Sequence, residues 1–245
     1  LFCIMRYSRQ EIFNEIGKKW QEKLSKRYVA IVGLGALGSV SAELLARAGI
    51  GKLILIDRDI VELSNLQRQS LYDENDVGKP KAFAAKEKLS GINSEIKIEF
   101  FIDDLNFKNI EKILNIKNID LILDCTDNLE TRFLINDFSI KNKIPFIYSS
   151  AVGSKGYVFN MIPEKTNPCL RCFLKEAAQL DTCETYGVLN SITHLISSIQ
   201  ASEAIKILLN KDYEKNLVYF DVWKNEMIKI KVNKNKNCEC CAGNN

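Results

Sequence analysis

Three glycines follow an apolar segment at a spacing that suits phosphate binding. Tyr28–Val32 has the composition of a buried strand, Gly33, Gly35 and Gly38 follow it, and Ser39–Arg47 has a helical pattern. These glycines permit a tight turn and let backbone amides approach a phosphate at the positive end of the helix. The segment therefore predicts a nucleotide-binding turn, which by itself is compatible with NAD.

The residues after the second predicted strand suit a triphosphate better than NAD. That strand, Lys52–Asp57, ends in an acid where such folds hold a ribose. Asp59, the segment Ser64–Gln69 and Lys81 come next, and they add an Asn, an Arg and a Lys. A hydride-transfer enzyme has no evident need for these groups behind the ribose acid. An enzyme that handles several phosphate charges does need them.

The alternation of strands and helices predicts how these residues are positioned. Apolar segments predict strands and periodic segments predict helices, in an order typical of a Rossmann-like, doubly wound, mostly parallel α/β sheet. The predicted strands are 28–32, 52–57, 96–101, 120–124 and 145–149, and the predicted helices are 36–48, 80–90, 106–115 and 129–142. A strand at 157–162, a long helix at 188–209 and paired strands at 217–221 and 227–232 predict an antiparallel extension. We expect one domain over residues 1–245, with a helical N-terminal arm at about 5–27 and a crossover loop at about 163–187.

Composition narrows the class of protein. The 245 residues are 46% hydrophobic and carry a net charge of +3, so no nucleic-acid or membrane surface is indicated. No apolar run is long enough to span a bilayer, and the N-terminal apolar stretch is too short for a signal peptide. We therefore expect a cytoplasmic protein.

Two Cys-x-x-Cys pairs stand out among the eight cysteines. Cys169 with Cys172 and Cys238 with Cys241 could supply the four thiolates of a tetrahedral structural zinc site. A redox pair or unrelated thiols are the alternatives. Cys240 could replace either of its neighbouring cysteines, although Cys238 and Cys241 have the better spacing.

These motifs together resemble the ThiF/MoeB/HesA family of adenylyltransferases, which are relatives of ubiquitin-activating enzymes. The match extends from about Arg6 to Cys241, and Ala36 is one departure, since many members have glycine there. Alanine is small, so we expect little effect. The matching segments are Arg6-Tyr-Ser-Arg-Gln10, the turn Gly33–Gly38, Asp57-x-Asp59, Ser64–Gln69, Lys81, Asp124-Cys-Thr-Asp-Asn128 and the two cysteine pairs.

The resemblance implies a reaction and a set of roles. It implies ATP-dependent adenylation of the C-terminal Gly-Gly carboxylate of a small ubiquitin-like sulfur-carrier protein, with release of pyrophosphate. Asp57 would bind the ribose, Asp127 would hold Mg²⁺, and Arg9 would reach the nucleotide of the other protomer in a homodimer. The phosphates would meet Asn65, Arg68 and Lys81. Further nucleotide contacts are expected at Gly33, Gly35, Ala36, Gly38, Asp59, Ser64 and Asn128.

Cys183 is similar in position to a cysteine that some family members bond covalently to the carrier or its sulfur, while others keep a cysteine nearby unused. A reactive thiol needs a lowered pKa, which no sequence feature guarantees here. The resemblance also implies that the zinc pins the end of the chain to the crossover loop. A sulfurtransferase or cysteine desulfurase is a further implied partner. Thiamine, molybdopterin and tRNA-thiolation pathways all use such carriers, and the sequence does not choose among them.

Three other functions are weighed against this one. A tRNA- or peptide-modifying adenylating enzyme of the same superfamily would use the same nucleotide residues, but the cysteine pairs favour the sulfur-carrier branch. An NAD-dependent oxidoreductase would leave Arg68 and Lys81 without a role. A non-catalytic partner subunit would have lost nucleotide residues, and none is visibly lost. The single histidine, His194, falls on an apolar helix and is expected to be packed or capped rather than catalytic.

Overall fold

The computed structural model describes residues 6–114, 119–174 and 186–242. One eight-stranded sheet, in the order β3-β2-β1-β4-β5-β6-β7-β8, runs through these residues. The strands are β1 (Tyr28–Val32), β2 (Lys52–Ile56), β3 (Lys97–Phe101), β4 (Leu121–Asp124), β5 (Phe146–Val152), β6 (Lys155–Met161), β7 (Leu217–Asp221) and β8 (Glu226–Ile230). The α-helices are α1 (Ser8–Ile12), α2 (Gly17–Leu24), α3 (Gly38–Ala48), α4 (Lys81–Ile92), α5 (Ile110–Leu114), α6 (Leu129–Asn142) and α7 (Asn190–Leu208). Short 3-10 helices cover Leu63–Asn65, Glu74–Asp76 and Leu170–Cys172.

The sheet confirms the predicted α/β class. Strands β3, β2, β1, β4 and β5 are parallel, and β6, β7 and β8 extend them in antiparallel pairing. The register pairs Val32 with both Ile56 and Asp124, so β1, β2 and β4 end level with one another. The residues that follow these three strands therefore meet at one edge of the sheet, where ligands bind in folds of this kind.

Both faces of the sheet are covered, which explains the continuous apolar strands. Val29 and Ile31 point into the core beneath α3, α4 and α7, while Ala30 and Val32 point into the core beneath α5 and α6. Side chains alternate between faces along a strand, so a strand buried on both sides needs apolar residues at every position. No helix in the described parts of the chain meets the length and hydrophobicity that a membrane crossing requires.

Several element boundaries differ by a few residues from the sequence prediction, and three of them illustrate the causes. The helix expected at 106–115 begins only at Ile110, because the side chains of Asn106 and Asn109 accept hydrogen bonds from nearby backbone amides and form a turn. Leu189, expected on the apolar face of the long helix, precedes α7 and is 38% exposed. Strand β5 continues to Val152 because β6 pairs with it in a hairpin.

Candidate nucleotide site and cysteine cluster

The glycine turn is built so that side chains are excluded. Gly33 has φ of +85°, and a Cβ there would lie 2.7 Å from the carbonyl oxygen of Cys125. A Cβ at Gly38 would lie 1.8 Å from the carbonyl oxygen of Gly33, so α3 packs directly on the turn. The backbone amides of Gly35 and Ala36 donate to no acceptor in the described residues. The turn therefore offers free donors at the N-terminus of a helix, which suits a phosphate.

Asp57 holds this turn in place. Its carboxylate is 8% exposed and accepts hydrogen bonds from the amides of Leu34 at 2.6 Å and Asp59 at 2.7 Å. Burial raises the pKa of Asp57, and the positive charge of Lys81 opposes that rise. Asp57 thus has a structural task, and each oxygen keeps further acceptor capacity for a ribose hydroxyl.

Lys81 lies beside Asp57 although 24 residues separate them in sequence. It is the first residue of α4, its side chain is 8% exposed, and its Nζ lies 3.0 Å from Oδ2 of Asp59. The hydroxyl of Tyr72 donates to the carbonyl oxygen of Leu34 at 3.0 Å and lies 3.3 Å from that of Lys81. Tyr72 therefore ties the glycine turn to the start of α4.

The segment from Ser64 to Gln69 folds into a tight turn next to the glycines. Asn65 is buried and accepts from the amide of Glu62 at 3.3 Å, while Nη1 of half-buried Arg68 donates to the carbonyl of Ser64 at 3.0 Å. The buried Gln69 amide faces Gly35, and its Oε1 has no donor in the described residues. Gln69 closes the predicted segment Ser64–Gln69, and no separate role for it was expected from the sequence. An orphaned buried oxygen beside free amides is consistent with a polar ligand here.

Asp127 and Asn128 follow β4 at the same edge of the sheet. Both are exposed, and Asn128 caps α6 by accepting from the amide of Thr131 at 2.8 Å. No hydrogen bond or ion pair to the Asp127 carboxylate occurs in the described ranges. Its oxygens are therefore free to bind a hard cation such as Mg²⁺.

Arg58, Asp124 and Arg132 are charged residues at this edge to which the sequence pattern assigned no role. Arg58 lies between the two acids of the Asp57-x-Asp59 motif, and its Nη1 is 2.8 Å from Oδ2 of Asp104. That carboxylate raises the pKa of Arg58. Asp124 and Arg132 form a buried pair at the end of β4. Asp124 begins the motif Asp124-Cys-Thr-Asp-Asn128, but nothing in the sequence marks its pairing with Arg132.

Arg9 lies far from the glycine turn of its own chain. Gln10, its neighbour on α1, donates to the carbonyl of Ala48 at 3.0 Å, and Tyr7 packs against Gly49. These contacts place α1 at the C-terminal end of α3, whereas the glycine turn lies at the N-terminal end. An 11-residue helix is about 16 Å long. Arg9 is exposed, and within the described ranges its side chain makes no hydrogen bond or ion pair.

The four cysteines of the two pairs come together. Sγ of Cys169 lies 3.6 Å from that of Cys238, Sγ of Cys172 lies 3.5 Å from that of Cys241, and all four lie within 4.8 Å of one another. Tetrahedral zinc with bonds of about 2.3 Å places its sulfurs about 3.8 Å apart, so the set fits zinc. Cys240 lies outside this set and accepts instead from Nδ2 of Asn136 at 3.3 Å.

Cys183 and His194 are the two remaining residues singled out from the sequence. Cys183 lies outside the described residues. His194 is half-buried, with Nδ1 2.8 Å from the carbonyl of Asn190 and Nε2 3.1 Å from Oγ of Ser70. His194 is therefore held in hydrogen bonds on both sides of its ring, as expected for a structural residue.

Comparisons with known proteins show what this chain is similar to. A model of the ThiF family matches residues 7–241. The chain is 42% identical to the sulfur carrier protein ThiS adenylyltransferase of Bacillus subtilis, over 96% of this chain and 70% of that protein. It is 35% identical to the molybdopterin-synthase adenylyltransferase of Escherichia coli, over 98% and 96%. It is 33% identical to the SAMP-activating enzyme E1 of Haloferax volcanii, over 97% and 88%.

A solved structure supports the fold. The crystal structure of E. coli MccB with ATP superposes with a TM-score of 0.85, at 23% identity, over 98% of this chain and 75% of that one. At this level of identity the similarity concerns the fold alone.

Proposed function

Because the chain belongs to the ThiF family, we propose that it adenylates the C-terminal Gly-Gly carboxylate of a small ubiquitin-like sulfur-carrier protein. A carboxylate oxygen would attack the α-phosphorus of ATP, the bond to the β-phosphate would break, and pyrophosphate would leave. The observation that carries the proposal is the convergence of Lys81, Asp57 and the glycine turn at one edge of the sheet. This arrangement puts a nearly buried cation beside free phosphate-binding amides.

The residues at this edge would bind different parts of ATP. Asp57 would bind the ribose hydroxyls while it keeps the turn in shape. The amides of Gly35 and Ala36, with Asn65, Arg68 and Lys81, would meet the phosphates and stabilise the charge that develops on them. Supporting contacts would come from the remaining residues of the same segments, Gly33, Gly38, Asp59, Ser64 and Asn128. Mg²⁺, when bound by Asp127, would neutralise part of the phosphate charge.

Two competing functions are distinguished from this proposal in different ways. An NAD-dependent oxidoreductase would use the turn and Asp57 but would not need Lys81 turned toward Asp59. Peptide- or tRNA-modifying adenylation would use the same nucleotide site. The relatives described above are named for a sulfur carrier protein, for molybdopterin synthase and for SAMP activation, which favours a protein carrier.

ATP–pyrophosphate exchange tests the proposed function. The chain would be incubated with ATP, Mg²⁺, labelled pyrophosphate and candidate sulfur carriers, each in a full-length form and a form without its last glycine. We expect exchange only with a full-length carrier. Tight NAD binding with no exchange for any carrier would instead support the oxidoreductase.

We further propose that the enzyme is a homodimer in which Arg9 serves the partner's nucleotide. The support is geometric, because α1 is docked about one α3 length away from the glycine turn of its own chain. An exposed arginine without a partner in the described residues is available to a neighbouring protomer. The exposed apolar side chains of Ile12 and Phe13, next to it on the arm, would be covered by such a contact.

A third proposal is that Cys169, Cys172, Cys238 and Cys241 hold one structural zinc. The metal would join the chain's C-terminal segment to the first part of the crossover loop. Purified protein should contain about one equivalent of zinc, and Cys169→Ser or Cys241→Ser should lose the metal and lower the melting temperature. Cys240→Ser is the matched control and should retain both zinc and stability. Metal-free protein with full stability and activity would rule the zinc out.

The β7–β8 hairpin is the surface that we propose for carrier binding. Trp223 is 78% exposed, Met227 55%, Ile228 43% and Ile230 42%, and the turn of the hairpin lies at the same end of the sheet as the carboxyl ends of the parallel strands. A carrier bound there could extend its tail along that edge toward the nucleotide. Ile228 and Ile230 point to one face of the edge strand β8 and Met227 points to the other, so the hairpin presents exposed apolar side chains of a kind that marks interaction sites.

A charge on this hairpin should weaken carrier binding selectively. We expect Ile228→Asp to raise the carrier concentration needed for half-maximal exchange while ATP binding without carrier stays unchanged. Asn142→Asp, which adds a charge at the exposed C-terminal end of α6, away from the nucleotide edge, is the control and should change neither quantity. Equal carrier dependence in Ile228→Asp and wild type would exclude the hairpin as the binding surface.

The remaining expectations concern sulfur transfer and chain organisation. We infer that residues 1–245 form one adenylation domain, which the single continuous sheet supports. Cys183 stays a candidate for a covalent bond to the carrier or its sulfur. A sulfurtransferase or cysteine desulfurase would supply the sulfur.

A further inference from the structure

We propose that the buried pair of Asp124 and Arg132 positions the segment that carries Asp127, and that Arg132 is thereby a positioning residue for metal–nucleotide binding. This inference rests on the proposed function, because it concerns the same nucleotide site. It assigns a task to two charges that no part of the reaction touches directly.

Both charges are almost completely removed from water. Asp124 is fully buried and Arg132 is 5% exposed. Nε of Arg132 lies 3.9 Å from Oδ2 of Asp124, and its guanidinium lies over the ring of Tyr148 at 5.1 Å. Burial raises the pKa of Asp124, and the charge of Arg132 opposes that rise. A buried ion pair is seldom a net source of stability, so its presence at the end of β4 calls for another explanation.

The two side chains hold Thr126 from both sides. Oδ1 of Asp124 accepts from the amide of Thr126 at 3.0 Å and from its hydroxyl at 2.8 Å. Nη2 of Arg132 donates to the carbonyl of Thr126 at 2.5 Å and lies 3.5 Å from the carbonyl of Ser149. Every polar group of Thr126 is therefore engaged by one member of the pair.

The carbonyl of Thr126 is the group that matters for the site. It belongs to the same planar peptide unit as the amide of Asp127. The hydrogen bond from Arg132 to this carbonyl therefore fixes the orientation of the peptide plane that leads into Asp127. Sheet pairing cannot do this, because the last ladder contact of β4 is the bond from the amide of Cys125 to the carbonyl of Val32. Beyond the end of the sheet, the ion pair orients the backbone instead.

The placement of Arg132 explains why the chain uses an arginine. Arg132 lies in the first turns of α6, whose cap is Asn128, so one short segment connects the arginine to the carboxylate that it orients. A guanidinium offers several donors in one plane and can reach Thr126, Ser149 and Asp124 together. The ammonium group of a lysine would keep the charge but could not contact these three residues together.

The test compares nucleotide binding with and without a metal. Calorimetry would measure the affinity of Mg²⁺–ATP, and of AMP without any divalent cation, for wild type, Arg132→Lys, Asp124→Asn and Asp127→Asn. We expect Arg132→Lys to weaken Mg²⁺–ATP binding about tenfold, as loss of a group that orients a metal ligand does, and to leave metal-free AMP binding unchanged. In the Asp127→Asn background, Arg132→Lys should have no further effect, because the two changes act through one carboxylate.

Arg27→Gln is the matched control. Arg27 pairs with Asp120 at 2.5 Å at the opposite end of β4, so its loss removes a partly exposed ion pair far from the nucleotide. We expect Arg27→Gln to lower the melting temperature without changing the ratio of the two affinities. All measurements would be made below the lowest melting temperature in the set. If Arg132→Lys does not fold, Asp124→Asn decides the matter, since it keeps the shape and removes the charge.

The outcomes separate this inference from the proposed function. Unchanged affinity ratios in both Arg132→Lys and Asp124→Asn would overturn the positioning role. An additive loss on top of Asp127→Asn would also overturn it. Wild-type protein that binds neither nucleotide would count against the nucleotide site itself.

Discussion

Replacing Lys81 with alanine is expected to slow adenylate formation by about a hundredfold or more, as loss of one preorganised donor to a developing charge does. The Nζ of Lys81 lies 3.0 Å from Asp59 and faces the carboxylate that holds the glycine turn. Arg68→Ala should have a similar effect. Folding should change little, because Asp59 is half exposed and water can replace its lysine partner.

The measurement is the rate of carrier-dependent pyrophosphate exchange at saturating ATP. Lys79→Ala is the matched control, since Lys79 lies two residues away and its Nζ is 3.1 Å from Oδ1 of Asp76 rather than turned to the site. It should retain nearly the wild-type rate. Near wild-type rates in both Lys81→Ala and Arg68→Ala would remove these two residues from the mechanism.

Arg9→Ala and Asp127→Ala are each expected to abolish adenylation and to complement each other in a heterodimer. In that heterodimer one site combines an intact Asp127 with the partner's intact Arg9, while the other site carries both defects. Random exchange between the two variants should restore about a quarter of wild-type activity, because half of the dimers then have one good site of two. A co-expressed, doubly tagged heterodimer gives the cleaner sample.

The control is a heterodimer of wild type with the Arg9→Ala/Asp127→Ala double variant. If Arg9 acts across the dimer, this control is inactive, since its one intact Asp127 faces a defective arm. If Arg9 serves its own protomer, the activities reverse: the control keeps one good site, and the heterodimer of single variants has none. That reversed pattern, or the absence of any dimer, would contradict the proposal.

Local sequence signals predicted the elements that surround the site. The alternation of apolar strands with helices gave the parallel half of the sheet, and the glycine spacing placed the turn between β1 and α3. The two Cys-x-x-Cys pairs predicted a four-sulfur cluster, and the structure assigns Cys240 a separate contact with Asn136. The strands, the helices and the glycine turn depend on residues that are close together in sequence. The cysteine cluster depends on a spacing that suits metal binding.

Features that depend on tertiary contacts were missed. Arg58 pairs with Asp104, 46 residues away, and nothing between them in sequence marks the contact. Asp124 is a charge inside an apolar strand, and only the fold shows that Arg132 reaches it. Asx side chains at Asn106 and Asn109 compete with the helix at the start of α5, which a periodic pattern does not reveal.

The position of Arg9 is the clearest example of what the sequence could not supply. The motif around Arg9 does not indicate how far this residue lies from the glycine turn. A residue near the N-terminus could lie anywhere on the surface. The contacts of Gln10 and Tyr7 with the C-terminal end of α3 depend on the packing of the arm. Only this packing separates Arg9 from the glycine turn of its own chain.

The most direct test of adenylation follows the phosphates of ATP onto the carrier. The enzyme would be incubated with Mg²⁺, a full-length Gly-Gly carrier and ATP labelled at either the α- or the γ-phosphate, and the carrier would then be isolated. We expect α-label to appear on the carrier, to be removed by hydroxylamine, and to be absent from a carrier without its last glycine. Transfer of γ-label, or no α-label on any carrier that binds the enzyme, would contradict it.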